Sequence, residues 1–95
     1  MILHLINKAP SHSALRDSLP FISASDAVIL IDDGVYAAIS NTEACQQLQA
    51  STAACYALAD DVATRGITVA DNITLVTMAD FVDLCFDADK TLSWY

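Results

Sequence analysis

Glycine is nearly absent from this chain. Gly34 and Gly66 are the only two in 95 residues, so neither a GxGxxG turn nor a GxxxxGK phosphate loop can be built. Cations are as scarce: Lys8, Arg16, Arg65 and Lys90 face twelve acidic residues, for a formal net charge of −8. Four scattered cations do not track a phosphate backbone, so no direct nucleic-acid binding is expected. The acidity suits a basic protein partner or a solvated face. No apolar run approaches the ~20 residues of a membrane span, and Met1–Ile6 is too short, and lacks the basic lead, for a secretory signal. Cys45, Cys55 and Cys85 are odd in number and have no CxxC spacing. With only two histidines they form no zinc pattern, and free thiols in a reducing cytoplasm are expected. Neither a cofactor nor a metal is implied.

What is present is apolar residue. The chain is 55% hydrophobic, above the ~45–50% of ordinary domains. One domain of this size buries only roughly 60–65% of the surface its unfolded chain exposes. Apolar side chains should therefore remain for the surface, which points to a large contact with another subunit.

The apolar runs alternate with helical patterns. Met1–Ile6 reads as a strand with Ile2, His4 and Ile6 on one face and Leu3 and Leu5 on the other. Pro10 ends it. A helix capped by Ser11 or Ser13 follows and should end or kink near Leu19, because Pro20 is unfavourable in a helix interior. Ala27–Ile31 is an unbroken run, as in a parallel strand covered on both faces. Asp32-Asp33-Gly34 closes it, and Val35–Ile39 reads as a helical turn. Ser40 and Glu43 have capping-box spacing for a helix through about Leu48. Thr52–Tyr56 reads as the third strand, followed by a helix with Asp60 and Asp61 in its first turn, Arg65 in its last, and Gly66 as left-handed cap. Asn72–Val76 is a fourth strand. Thr77 and Asp80 cap a last helix, whose Met78, Phe81, Val82 and Cys85 form a stripe, and Thr91–Tyr95 is a fifth strand. This alternation predicts an α/β domain: a parallel sheet with helices on both faces and right-handed crossovers.

In such a sheet, chemistry belongs at the carboxyl ends of the strands. Few residues there suggest it. A phosphate-receiver domain needs acids after the first and third strands, and Asp32-Asp33 follow the second. His4, within a strand, reads as a hydrogen-bonded core histidine. His12 reads as an exposed loop histidine. A sulfur-carrying cysteine must be accessible and near positive charge or a helix amino terminus. Cys55 falls inside the third strand and Cys85 on the apolar stripe, so both are expected in the core. Cys45, early in the second helix, is the one thiol candidate, set against its reading as a small hydrophobe. Tyr36, Trp94 and Tyr95 are interface candidates.

Three stretches carry a resemblance. His4-Leu5-Ile6-Asn7-Lys8-Ala9-Pro10, Asp33-Gly34-Val35-Tyr36-Ala37-Ala38, and Tyr56-Ala57-Leu58 with Asp61 and Ala63-Thr64-Arg65-Gly66 together resemble the TusB/DsrH family; Asp80-Phe81-Val82 and Ser93-Trp94 fit as well. The resemblance implies a DsrE/F/H-type fold of three α/β/α layers, with a five-stranded, mostly parallel sheet of order 4-3-2-1-5, over residues 1–95 as one domain. It also implies a hetero-oligomer with TusC-like and TusD-like (DsrF/DsrE-like) subunits, typically a dimer of heterotrimers. That complex relays persulfide sulfur towards 2-thiolation of the tRNA wobble uridine or, in DsrH-type relatives, serves sulfur oxidation. Sulfur-carrying subunits of the superfamily have their cysteine where the third strand turns into its helix, which falls at Leu58 or a neighbouring residue. Some DsrH proteins carry a cysteine in the first helix, and Ser13–Leu19 has none, which favours the tRNA relay. The expectation is a non-catalytic sulfurtransferase subunit. The alternatives are a stand-alone thiol or persulfide carrier using Cys45, and a homo-oligomeric binding module unrelated to sulfur.

Overall fold

The computed structural model describes all 95 residues. In chain order the elements are β1 (Ile2–Ile6), α1 (Ser13–Ser18), a 3₁₀ turn (Leu19–Phe21), β2 (Ala27–Leu30), a 3₁₀ segment (Asp32–Ala38), α2 (Glu43–Ala50), β3 (Ala54–Leu58), α3 (Ala59–Arg65), β4 (Ile73–Val76), α4 (Met78–Asp87) and β5 (Lys90–Trp94). The five strands form one sheet in the order β4-β3-β2-β1-β5. Every pairing is parallel.

That order decides where the helices go. β1 to β4 step in one direction across the sheet, and β5 returns to the far side of β1. With crossovers of one hand, α4 must lie on the face opposite α1, α2 and α3. The two cores confirm it. Leu15, Cys45, Leu48 and Val62 from the first three helices pack on Ile6, Val28, Leu30, Cys55 and Ala57 of the sheet. On the other face, Phe81 and Leu84 of α4 pack near Leu3, Ala27, Ile29 and Val76. One face thus has three helices and a 16-residue core, the other a single helix over four buried residues.

Local chemistry moved several boundaries. α1 is capped by His12, whose Nδ1 accepts from the Ala14 N–H at 3.1 Å, not by Ser11 or Ser13. It ends at Ser18 and tightens into the 3₁₀ turn because Pro20 has no N–H to continue it. α2 is capped by Thr42, which accepts from the Cys45 N–H at 3.3 Å. The expected cap Ser40 is displaced because Asn41, at φ 66°, turns the chain before Thr42. β3 begins two residues later than the apolar run, since Thr52 takes φ 58° in the turn after α2. Leu58 therefore ends β3 and precedes α3. The capping box of Thr77 and Asp80 is complete, and Gly66 closes α3 at φ 64° as expected.

Gly34 has a different role. A Cβ there would fall 2.1 Å from the Ile6 carbonyl oxygen. Its absence lets the 3₁₀ segment lie directly over the end of β1.

Candidate functional site

The carboxyl end of the sheet is where the sequence placed any chemistry, and there the structure builds a clasp. Asp32 turns through φ 47° and donates its N–H to Asp61 Oδ2 at 2.7 Å. Arg65 reaches back from the end of α3 and donates through Nε and Nη2 to Asp33 Oδ1 at 3.2 and 3.0 Å. Its Nη1 also donates to the Asp61 carbonyl at 3.2 Å. Hydrogen bonding to Asp33 pushes the Arg65 guanidinium above its ordinary value, outweighing partial desolvation. Asp33, Asp61 and Arg65 thus tie the loop after β2 to the helix after β3. The sequence reading gave Asp61 and Arg65 only helix-dipole roles. The link from Arg65 to Asp33 was invisible because it joins residues 32 apart in the chain.

Leu58, the last residue of β3, comes three residues before Asp61 in the chain and is 5% exposed. It supplies no side-chain cap to α3, and its side chain is a branched alkyl group. No nucleophile is present at this point.

The cysteines are elsewhere. Cys45 lies third in α2, but its thiol points into the core and is 1% exposed. Burial raises its pKa, so the amino-terminal position does not make it a thiolate. Cys55 is 5% exposed in β3. Burial, and then repulsion from neighbouring Cys45, push its thiol up to about 11. Cys85 corrects the sequence reading: it was expected in the core and is exposed. Phe81 and Leu84 of α4, with Ala88 after it, pack on the sheet, so of the expected stripe Phe81 turns inward while Met78, Val82 and Cys85 point outward with Phe86. α4 has two apolar faces, and periodicity alone did not say which turns inward. That more than half its positions are apolar was the available signal for an outer contact face.

His4 is fully buried and hydrogen-bonded, as expected of a core histidine. Trp94 Nε1 donates to its Nδ1 at 3.1 Å, so His4 carries its proton on Nε2 and gives that hydrogen bond to Asp26 Oδ2 at 3.0 Å. Asp26 also accepts from the N–H groups of Ile2 and Ser23. Burial opposes its charge, but the hydrogen bonds from His4, Ser23 and Ile2 outweigh it and hold the carboxyl far below the usual carboxylate range. This network fastens β1, β2 and β5 together at their shared core.

Among the interface candidates, Tyr36 is 39% and Tyr95 75% exposed. Trp94 is half-buried, stacked on His4 and covered by Phe21 at a ring distance of 5.6 Å. A cleft of about 270 Å³ between α1 and α2 is lined by His12, Arg16, Glu43 and Gln47 among others; His12 spends one ring nitrogen there as the α1 cap.

The family description "DsrH like protein" matches residues 8–91. The chain belongs to the TusB/DsrH family. Curated relatives named Protein TusB, from Yersinia pestis and Yersinia pseudotuberculosis, are 33% identical over 95 residues, which span 98% of this chain and all of theirs. Among solved structures, the crystal structure of the ychN protein from E. coli superposes with a TM-score of 0.81 at 19% identity, covering 97% of each chain. The solution structure of Tm0979 from Thermotoga maritima follows at 0.68 and 27%, covering 92% of this chain and 93% of that one. The sheet order is the one expected of a TusB/DsrH-family chain, with an alkyl side chain at the end of β3 and the Asp–Arg clasp joining the loop after β2 to α3. No helix is long and apolar enough to cross a membrane.

Proposed function

We propose that this chain is a non-catalytic subunit of a cytoplasmic sulfur relay complex, assembled with TusC-like and TusD-like subunits, one of which supplies the carrier cysteine. The relay moves persulfide sulfur towards 2-thiolation of the tRNA wobble uridine. The observation that carries this reading is Leu58. It is 5% exposed at the end of β3, at or within a residue of where the family resemblance places a carrier's cysteine. Two of the three thiols support it: Cys45 and Cys55 are buried with raised pKa values, so neither offers the accessible thiolate that sulfur transfer needs, and the exposed third, Cys85, belongs to α4 and not to the turn between β3 and α3. The TusB-named relatives favour the tRNA relay. The DsrH family match supports a second reading, a subunit of a sulfur-oxidation complex. α1, Ser13–Ser18, holds no cysteine, which favours the first.

The test has two parts. Purified chain, alone and co-expressed with its TusC-like and TusD-like neighbours, is incubated with a cysteine desulfurase and cysteine. Intact-mass spectrometry should find the added sulfur on a partner and none on this chain. Deletion of the gene should remove 2-thiouridine from bulk tRNA. A stable persulfide on the isolated chain would overturn the non-catalytic assignment. Normal thiouridine with impaired growth on reduced sulfur would favour the second reading.

A further inference from the structure

The outer face of α4 is apolar and uncovered. Met78, Val82 and Phe86 are 53%, 47% and 85% exposed, with exposed Cys85 among them. With Phe81 they line an open groove of about 270 Å³ made of apolar side chains alone. No residue of this ten-residue helix is fully buried. A helix apolar around most of its circumference is normally covered, and a contiguous apolar patch marks a contact site.

Charge selects what covers it. The charged residues of α4 are Asp80, Asp83 and Asp87, all acidic and exposed. In a two-fold pairing of antiparallel helices each flank meets its own copy, so Asp83, which borders Phe86 on the helix circumference, would face its equivalent, with Asp80 and Asp87 adding like charge behind it. The cations that might relieve this are few. Arg65 is held by Asp33 and Asp61, and Arg16 lies beside Asp17, which leaves Lys8 and Lys90 as the unpaired cations against twelve acidic residues in each copy. A second copy would bring a charge of −8 against −8, and like-charge juxtaposition disfavours a partner. A chain with lysine or arginine beside an apolar surface gains both terms.

We infer that the Met78–Phe86 face of α4 docks a non-identical protein chain whose apolar contact is flanked by basic side chains. The inference rests on the reading of this chain as a subunit of a hetero-oligomeric relay; it adds the surface used and the sign of the partner's charge.

Cys85 is a built-in reporter, because it lies in the patch while the other two thiols are buried. The complex co-expressed with TusC-like and TusD-like subunits is treated with N-ethylmaleimide and Cys85 is followed by peptide mass spectrometry, beside the isolated chain. Alkylation of Cys85 should slow about ten-fold or more in the complex, as for any residue that must wait for an opening event. Val82→Glu, at an exposed position, should leave the thermal melt of the isolated chain intact and abolish assembly. Raising salt from about 50 to about 500 mM should weaken the wild-type complex. Equal alkylation in an intact complex would overturn the surface while leaving the subunit reading standing. Assembly insensitive to salt would overturn the basic flank. A self-associated isolated chain with protected Cys85 would put a second copy on the face and overturn the inference. Failure of the wild-type chain to join these subunits at all would overturn the inference and the subunit reading together.

Discussion

Trp94 closes on His4 across 90 residues of chain, its indole N–H donating to His4 Nδ1 at 3.1 Å. The hydrogen bond does more than join the ends of the chain. By occupying Nδ1 it fixes the imidazole proton on Nε2, where Asp26 accepts it at 3.0 Å. Trp94→Phe keeps the ring against Phe21 and leaves His4 Nδ1 buried without a donor. We expect it to lower stability by about 1–3 kcal/mol, read as a lower urea midpoint at unchanged m-value.

Asp26 makes the same network pH-dependent. Its folded pKa is depressed below the ordinary 3.8. The contribution is therefore complete above the unfolded value and is lost as pH falls from there towards the folded value. Acid denaturation of the wild type should steepen below about pH 4. Asp26→Asn keeps an acceptor but not the charge. It should be less stable at pH 7 by about 1–3 kcal/mol and should lose less on going from about pH 4 to about pH 2. Parallel acid limbs for the two proteins would show that Asp26 does not carry this effect.

The two glycines should separate by mechanism. Gly34→Ala forces a Cβ to within 2.1 Å of the Ile6 carbonyl, a clash between two backbones that no rotamer relieves. We expect a loss of about 3 kcal/mol or more. Gly66→Ala meets nothing within 4 Å and incurs only the left-handed conformation, about 1 kcal/mol. Thermal melts of the pair decide it, and a larger loss at Gly66 would refute the close-approach account of Gly34.

How much was legible in the sequence follows from what kind of fact each feature is. Ala27–Leu30 and the Gly66 cap are local: an unbroken apolar run and a glycine after an arginine say nearly all that is needed. The caps of α1 and α2 were displaced by one and two residues, because His12 and Thr42 compete with nearby serines and the left-handed turn at Asn41 decides the second case. The start of β3 shifted because Thr52 spends its residue on a turn. The Asp33–Arg65 clasp and the His4–Trp94 contact were out of reach, since each needs the strand order before its partners meet. Cys85 was misplaced for a subtler reason. A helix with two apolar faces fits a core on either side, and only the sheet chooses.

The cysteines should react in an order set by burial. With a maleimide at neutral pH the folded isolated chain should take one label, on Cys85, and three only in urea. Cys55, with its thiol pushed up to about 11, would be thiolate at pH 7 in only on the order of one molecule in ten thousand even if reached. Rapid labelling of Cys45 in the folded chain would revive it as a carrier candidate.

Leu58→Cys tests the proposed division of labour directly. A thiolate there would attack the outer sulfur of a donor persulfide. One S–S bond breaks as another forms, the donor leaves as a thiolate, and no oxidant or reductant is needed. The substitution removes alkyl volume from a site 5% exposed, so a modest loss of stability, about 1–3 kcal/mol, should accompany it. Two carboxylates, Asp60 and Asp61, follow immediately in the first turn of α3. Their charge disfavours a thiolate beside them, so sulfur uptake should be slow. Asp61 is engaged by the Asp32 N–H and is best left alone; Asp60 makes no such tie to the loop. Adding Asp60→Asn should therefore speed uptake without loosening the clasp. Mass spectrometry after incubation with a cysteine desulfurase and cysteine reads both variants. A sulfur adduct on Leu58→Cys, faster in the double variant, would show that the scaffold retains a carrier geometry and lacks only the thiol. No adduct in either would detach this position from sulfur transfer, and an adduct on the wild-type chain would end the case for a subunit without chemistry of its own.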